Sequence, residues 1–110
     1  MGRTLRSFDA RFATANARLR EVIHRSSDEG CHDKGYDEFD WVAYYRDMVE
    51  AHSAMAAVYT EAQDVVEPGN LAWSALYDAA KVHLDSAEEA GRSLTAYLAR
   101  VAGAAAERVA

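Results

Sequence analysis

At 110 residues the chain is long enough for one domain and too short for several. Half of its residues are hydrophobic and 27% are charged, which argues against a disordered chain. It has no apolar run near 18 residues, so we predict no membrane span, and the N-terminus lacks the apolar stretch of a signal peptide. The single cysteine cannot form an internal disulfide, and we therefore expect a cytoplasmic location.

The first predicted helix runs from about Thr4 to Arg25. Its apolar residues recur at alternating steps of three and four, which places them on one stripe of a helix. The stripe consists of Leu5, Phe8, Phe12, Ala15, Leu19 and Val22. Most of its arginines lie off that stripe, and Gly30 and Gly35 mark a polar loop after it.

The second predicted helix runs from about Glu38 to Glu67, with Asp37 as a plausible N-cap. Its stripe centres on four residues spaced seven apart: Tyr45, His52, Tyr59 and Val66. A histidine at the centre of an apolar stripe is expected to be buried and hydrogen-bonded. We therefore predict that His52 lies near Leu84, with Tyr45, Tyr59 or His83 as its partner. Residues 68–70, Pro-Gly-Asn, end the helix and turn the chain.

The third predicted segment carries an unbroken heptad pattern over 33 residues. The pattern comprises Trp73, Tyr77, Ala80, Leu84, Ala87, Gly91, Leu94, Leu98, Val101 and Ala105. Asn70 can cap its start. The phase passes through Gly91 without a slip, which favours one continuous helix over two.

These segments predict an all-α single domain over residues 1–110: an antiparallel bundle of three long helices, or four if the third breaks at Gly91. The second and third helices are expected to form a short hairpin. In it Tyr45 faces Gly91, His52 faces Leu84 and its neighbour His83, and Tyr59 faces Tyr77 and Ala80. Helices of unequal length cannot cover one another fully. We therefore predict self-association, for example as a homodimer, through the uncovered apolar end at Leu94, Leu98 and Val101.

Charge is distributed unevenly along the chain. Residues 1–26 carry six arginines against two acids, net +4, whereas residues 27–70 carry eleven acids against two bases, net −9. Either these segments neutralise each other, with Arg18, Arg20 and Arg25 as the competitors, or the acids meet a protein partner with a basic surface. The predicted partner-binding residues are Asp28, Glu29, Asp33, Asp37, Glu38, Asp40, Asp47 and Glu50.

Several patterns of metal-ligating residues offer an alternative to a protein-binding surface. Glu21 and His24 have the Glu-x-x-His spacing of di-iron bundles, but the core stripes contain no acid to complete such a site. Cys31-His32 lies in the acidic loop and is most simply a solvated pair. The remaining alternative is a site for a soft metal such as Cu(I), built from four residues: Met48, His52, Met55 and His83.

No pattern in the sequence indicates an active site or a cofactor, and a net charge of −6 argues against direct nucleic-acid binding. The sequence therefore predicts a small acidic, non-enzymatic protein-interaction module. In charge alone it resembles the small acidic inhibitors of restriction or CRISPR complexes, so regulation of a nucleic-acid-handling complex is the sharper form of this prediction. The alternative is a metal- or ligand-binding helical bundle.

Overall fold

The computed structural model describes residues 4–25 and 39–109. Within these ranges it contains three α-helices: α1 spans Asp9–His24, α2 spans Trp41–Gln63 and α3 spans Leu71–Val109. A single 3-10 turn, Leu5–Phe8, precedes α1. The two described ranges contain no strand, which confirms the all-α prediction.

The first helix follows the predicted stripe. Four of its predicted apolar residues are buried: Phe8, Ala15, Leu19 and Val22. Its start differs from the prediction, because the chain enters as a 3-10 turn in which the Ser7 backbone N–H and hydroxyl both donate to the Thr4 carbonyl. Leu5, in this turn, remains 40% exposed.

The bounds of α2 are narrower than predicted, because the cap is Asp40. Its Oδ1 accepts a hydrogen bond from the Ala43 backbone N–H at 3.0 Å, which satisfies a donor of the first turn. The predicted cap, Asp37, lies outside the described residues. The helix ends at Gln63, four residues before the predicted Glu67.

The third helix is continuous through Gly91, as predicted. The Asn70 side chain begins it by accepting a hydrogen bond from the Ala72 backbone N–H at 2.8 Å, and Gly69 makes the preceding turn with φ +94°. Its 39 residues account for most of the 64 Å length of the molecule. Residues 98–108 are all exposed, because α3 extends past the start of α2.

Both neighbours of α2 run antiparallel to it. On one side Phe12 meets Tyr59 while Arg18 meets Asp47, and on the other Tyr45 meets Tyr97 while Gln63 bonds to the Trp73 carbonyl. Since α2 is covered on two sides, it holds much of the core: Ala51, His52, Met55, Ala56, Val58 and Ala62 are buried.

The face of α3 that meets α2 differs by one position from the prediction. Tyr77 and Leu84, predicted to be in the core, are 52% and 53% exposed. The covered face consists of Leu76, Ala80, His83, Ala87, Ala90, Leu94 and Tyr97, which also follows steps of four and three. Successive residues lie about 100° apart around a helix, so a shift of one residue moves to a neighbouring face. Two adjacent apolar series therefore lie on neighbouring faces of α3, and α2 packs against one of them. The prediction for His52 is therefore confirmed at His83, and Tyr59 stacks on His83, whereas Leu84 and Tyr77 lie on the more exposed side of α3.

Candidate functional site

Two histidines face each other between α2 and α3. His52 is 8% exposed, and its Nδ1 lies 2.9 Å from Nδ1 of His83, within hydrogen-bond distance. Such a contact requires one ring to donate from Nδ1 while the other accepts there, so the two neutral rings hold opposite tautomers. Tyr59 stacks on His83 with 5.7 Å between ring centroids. The prediction of a buried, hydrogen-bonded His52 is confirmed, with His83 as the partner.

Both imidazole rings favour the neutral form, because the pKa of each is lowered. Burial removes water from the ring of His52 and, with the nearby charge of His83, holds its pKa below the ordinary value of 6.5. Burial also lowers the pKa of His83. Neutral imidazole is the form that binds a metal or accepts a hydrogen bond, so the pair has ligand character at neutral pH.

The structure brings together part of the predicted soft-metal set. His52 and His83 are in contact, and Met48 lines the same small groove as His52. Met55 instead lines a different groove, where Phe12 of α1 and Leu76 of α3 approach it. Among the residues described here, no group of three or more His, Cys, Asp or Glu side chains is arranged to hold a metal ion.

Five aromatic rings form a continuous cluster beside the groove that Met48 and His52 line, and the apolar stripes of the sequence did not predict it. Phe39 is buried, and the other four are half-buried: Trp41, Tyr44, Tyr45 and Tyr97. Neighbouring rings lie 4.7 to 6.5 Å apart between centroids, in tilted or edge-on arrangements. Arg100 lies 5.8 Å above the Tyr97 ring. Four aromatic residues within positions 39–45 were the available signal.

A groove of about 230 Å³ lies between the aromatic cluster and the histidine pair. Tyr44, Tyr45, Met48 and His52 supply its α2 wall, and two serines, Ala90 and Glu89 supply its α3 wall. Glu89 is the one carboxylate in this lining. With His52 neutral, the groove therefore carries negative charge and aromatic surface together, a combination that suits a cationic group.

The predicted pairing of arginines in the first segment with acids of the second occurs at Asp47. Arg25 Nη1 lies 2.5 Å from Asp47 Oδ2, and Arg18 Nη2 lies 3.6 Å from Oδ1. A further pair joins Arg11 of α1 to Glu61 of α2. Asp47 is therefore engaged within the chain, whereas Arg20 forms none of the ion pairs seen in the described part of the chain.

The other predicted partner-binding acids divide into two groups. Asp40 is exposed beside the aromatic cluster at the start of α2, and Glu50 is exposed further along the same helix. The remaining five lie outside the described residues: Asp28, Glu29, Asp33, Asp37 and Glu38. Of the residues predicted for self-association, Leu94 is partly covered by α2, whereas Leu98 and Val101 are 47% and 49% exposed.

Comparisons with protein-family models, curated proteins and solved structures find no match to this chain. Over the described residues, no helix combines the length and the apolar character needed to cross a bilayer. The functional interpretation therefore depends on the geometry of the molecule.

Proposed function

We propose that this chain is a non-enzymatic, acidic protein-interaction module whose aromatic end docks on a partner with a basic surface. The observation that carries the proposal is the half-buried cluster of Trp41, Tyr44, Tyr45 and Tyr97, with Arg100 beside it. Tryptophan, tyrosine and arginine are the residues that contribute most binding energy at protein interfaces, because they bury large areas with little loss of side-chain entropy.

The acidic residues near the aromatic cluster indicate which kind of partner would bind there. Asp40, Glu50 and Glu89 are exposed near this end of the hairpin, and the acidic segment 27–38 precedes it in the chain. Arginine and lysine side chains of a partner can pair with these carboxylates and lie over the aromatic rings. A basic surface of this kind is what nucleic-acid-handling proteins present to phosphates. Inhibition or regulation of such a complex, by competing with nucleic acid, is the sharper form of the proposal.

Self-association completes the proposed architecture as a bundle. The last turns of α3 extend beyond the start of α2, and Leu98 and Val101 are half-exposed there. Exposed leucine and valine at heptad spacing are the usual means by which one helix recruits another. We propose that a second copy covers this apolar end and gives a homodimer.

The test compares two double variants of equal charge change. Asp33→Lys with Asp37→Lys alters the acidic segment that precedes α2 in the sequence. Asp64→Lys with Glu67→Lys changes the charge by the same four units at the opposite end of the hairpin. The probe is a peptide rich in arginine and lysine, titrated by calorimetry at about 50 and 200 mM salt. We expect wild type and the control to bind, more weakly at high salt, and the first variant to lose binding.

A second arm tests the aromatic contribution. Tyr45→Ala removes a ring that touches three neighbours, and we expect it to weaken peptide binding in a protein that remains helical by circular dichroism. Equal binding by wild type, the acidic-segment variant and Tyr45→Ala would overturn the proposed docking surface. A pull-down from native-host lysate with the same variants then assigns the partner, retained by wild type and lost by the variants.

The second candidate function is a metal- or ligand-binding bundle, favoured by the 2.9 Å contact between two neutral histidines. With Met48 in the neighbouring wall, this pair offers a soft, partly buried donor set. Elemental analysis of untagged protein tests it. Stoichiometric copper or zinc that disappears in His52→Leu would favour this function, and metal-free protein that rejects added Cu(I) would exclude it.

A further inference from the structure

The third helix carries two adjacent apolar series, and α2 covers one of them. The covered face contains Leu76, His83, Ala90 and Tyr97 together with Ala80, Ala87 and Leu94. The neighbouring series, spaced by sevens, contains Tyr77, Leu84, Gly91 and Leu98. Its three large members are 47% to 53% exposed. A heptad series that the chain does not cover itself has the spacing needed to receive another helix.

Gly91 interrupts this uncovered series, and nothing in the described residues requires a glycine there. A Cβ added there would meet one described atom, Val49 Cγ2, at 4.0 Å, an ordinary contact. Glycine in a helix interior is less favourable than alanine, because it loses more backbone entropy. Gly91 lies at the edge of the uncovered series nearest α2, and its missing side chain leaves that edge open to a side chain of a partner helix.

Charges beside the uncovered series show which helix fits. One flank of it carries exposed charges at Asp78, Lys81, Glu88 and Arg92, of which Glu88 and Arg92 form an ion pair within α3 at 3.2 Å. In a parallel pair of two such helices this flank would face the opposite flank of the other helix, which lies against α2. In an antiparallel pair the same flanks face each other, so Asp78 approaches Arg92 of the other chain and Lys81 approaches Glu88. The flank is therefore complementary to itself in one orientation only.

We infer that α3 pairs antiparallel with α3 of a second copy of this chain, about a two-fold axis between Leu84 and Asp85. This inference rests on the self-association proposed above and adds a surface and a register to it. Leu84 packs against its own copy at the axis. About this axis Tyr77 lies across from residues 91–92, and the missing Cβ of Gly91 leaves room for the tyrosine ring.

The register also explains the exposed end of α3. Leu98 falls opposite the start of the other α3, where Leu71 is 89% exposed. This register also brings Asp85 of one chain close to Asp85 of the other, and the two like charges repel each other. Lys81 of each chain lies one helical turn away. We therefore expect Asp85→Asn to strengthen the dimer.

The first experiment measures dimer dissociation of the full chain by analytical ultracentrifugation. Leu84→Glu buries a charge in the seam and should raise the Kd of the dimer by about 100-fold. Val82→Glu is the matched control, because Val82 is 60% exposed, two residues away and on the opposite side of α3. It should leave the Kd unchanged. Gly91→Ala should raise the Kd by about tenfold while raising the melting temperature of the dilute monomer.

The second experiment tests the orientation by disulfide formation in a Cys31→Ser background. Leu84→Cys should cross-link rapidly, because the antiparallel axis brings its two copies together. Leu98→Cys should not, because its copies lie about 40 Å apart at a rise of 1.5 Å per residue. Equal cross-linking at both positions would indicate a parallel pair and overturn the inference.

The dissociation constants of these variants distinguish the α3 seam from the broader proposal that the chain forms a homodimer. A dimer that Leu98→Glu and Val101→Glu dissociate, but Leu84→Glu leaves intact, would retain self-association through the end of α3 and refute the seam. A chain that stays monomeric at high concentration would refute both. Neither result bears on peptide binding at the aromatic end, which is measured separately.

Discussion

Replacing His52 and His83 with leucine, singly and together, should change stability in an order set by the burial of each ring. His83→Leu leaves His52, 8% exposed, without its Nδ1 partner, and an unsatisfied buried polar atom costs about 1–3 kcal/mol. His52→Leu should cost less, because His83 is partly exposed and water can replace the lost bond. The double variant removes both polar groups, so its stability should equal or exceed that of wild type.

The same pair gives stability a defined dependence on pH. Both pKa values are lowered in the folded protein, below the 6.5 of the unfolded chain. The unfolded state therefore binds more protons below that pH, and acid favours unfolding. The contribution of the pair is complete above pH 6.5 and is lost as the pH falls towards the folded pKa values. Each histidine adds at most about 1.4 kcal/mol per pH unit to the slope.

Urea denaturation followed by circular dichroism at pH 7.5, 6.5, 5.5 and 5.0 measures both effects. Wild type should lose stability on acidification more steeply than the double variant, and the difference isolates the pair from the other titrating groups. The reasoning fails if His52→Leu is the more damaging single change. It also fails if wild type and the double variant show parallel pH profiles, since the neutral pair would then contribute nothing.

Three further changes test other parts of the fold, each by urea denaturation. Phe8→Ala should cost about 3–5 kcal/mol, because Phe8 is 1% exposed, whereas Leu5→Ala, at a 40% exposed site, should cost far less. Asp40→Ala should cost about 0.5–2 kcal/mol through loss of the α2 cap, with Asp40→Asn as the near-neutral control. Gly69→Ala should cost about 1 kcal/mol, because φ is +94° there, and similar stability of that variant and wild type would contradict the turn geometry.

The sequence alone determined the features that depend on neighbours along the chain. The stripe of α1, the continuity of α3 and the Asn70 cap follow from local spacing and local hydrogen bonding, which are the same in any tertiary context. The burial of His52 was also predictable, because it lies at the centre of an apolar stripe. The start of α2 was not, since Asp37 and Asp40 are both good caps and local preference does not choose between them.

The tertiary structure decided which face of each helix meets which neighbour. In α3, His83 and Leu84 are adjacent in sequence, and both continue a heptad series through Ala80 and Ala87. Periodicity therefore permitted either side, and the packing of α2 selected His83. The aromatic cluster depends on the same choice, because Tyr97 reaches Tyr45 only when α3 presents that face. A helix with apolar residues over a wide arc can pack through more than one face, and only three-dimensional contact shows which face meets a given neighbour.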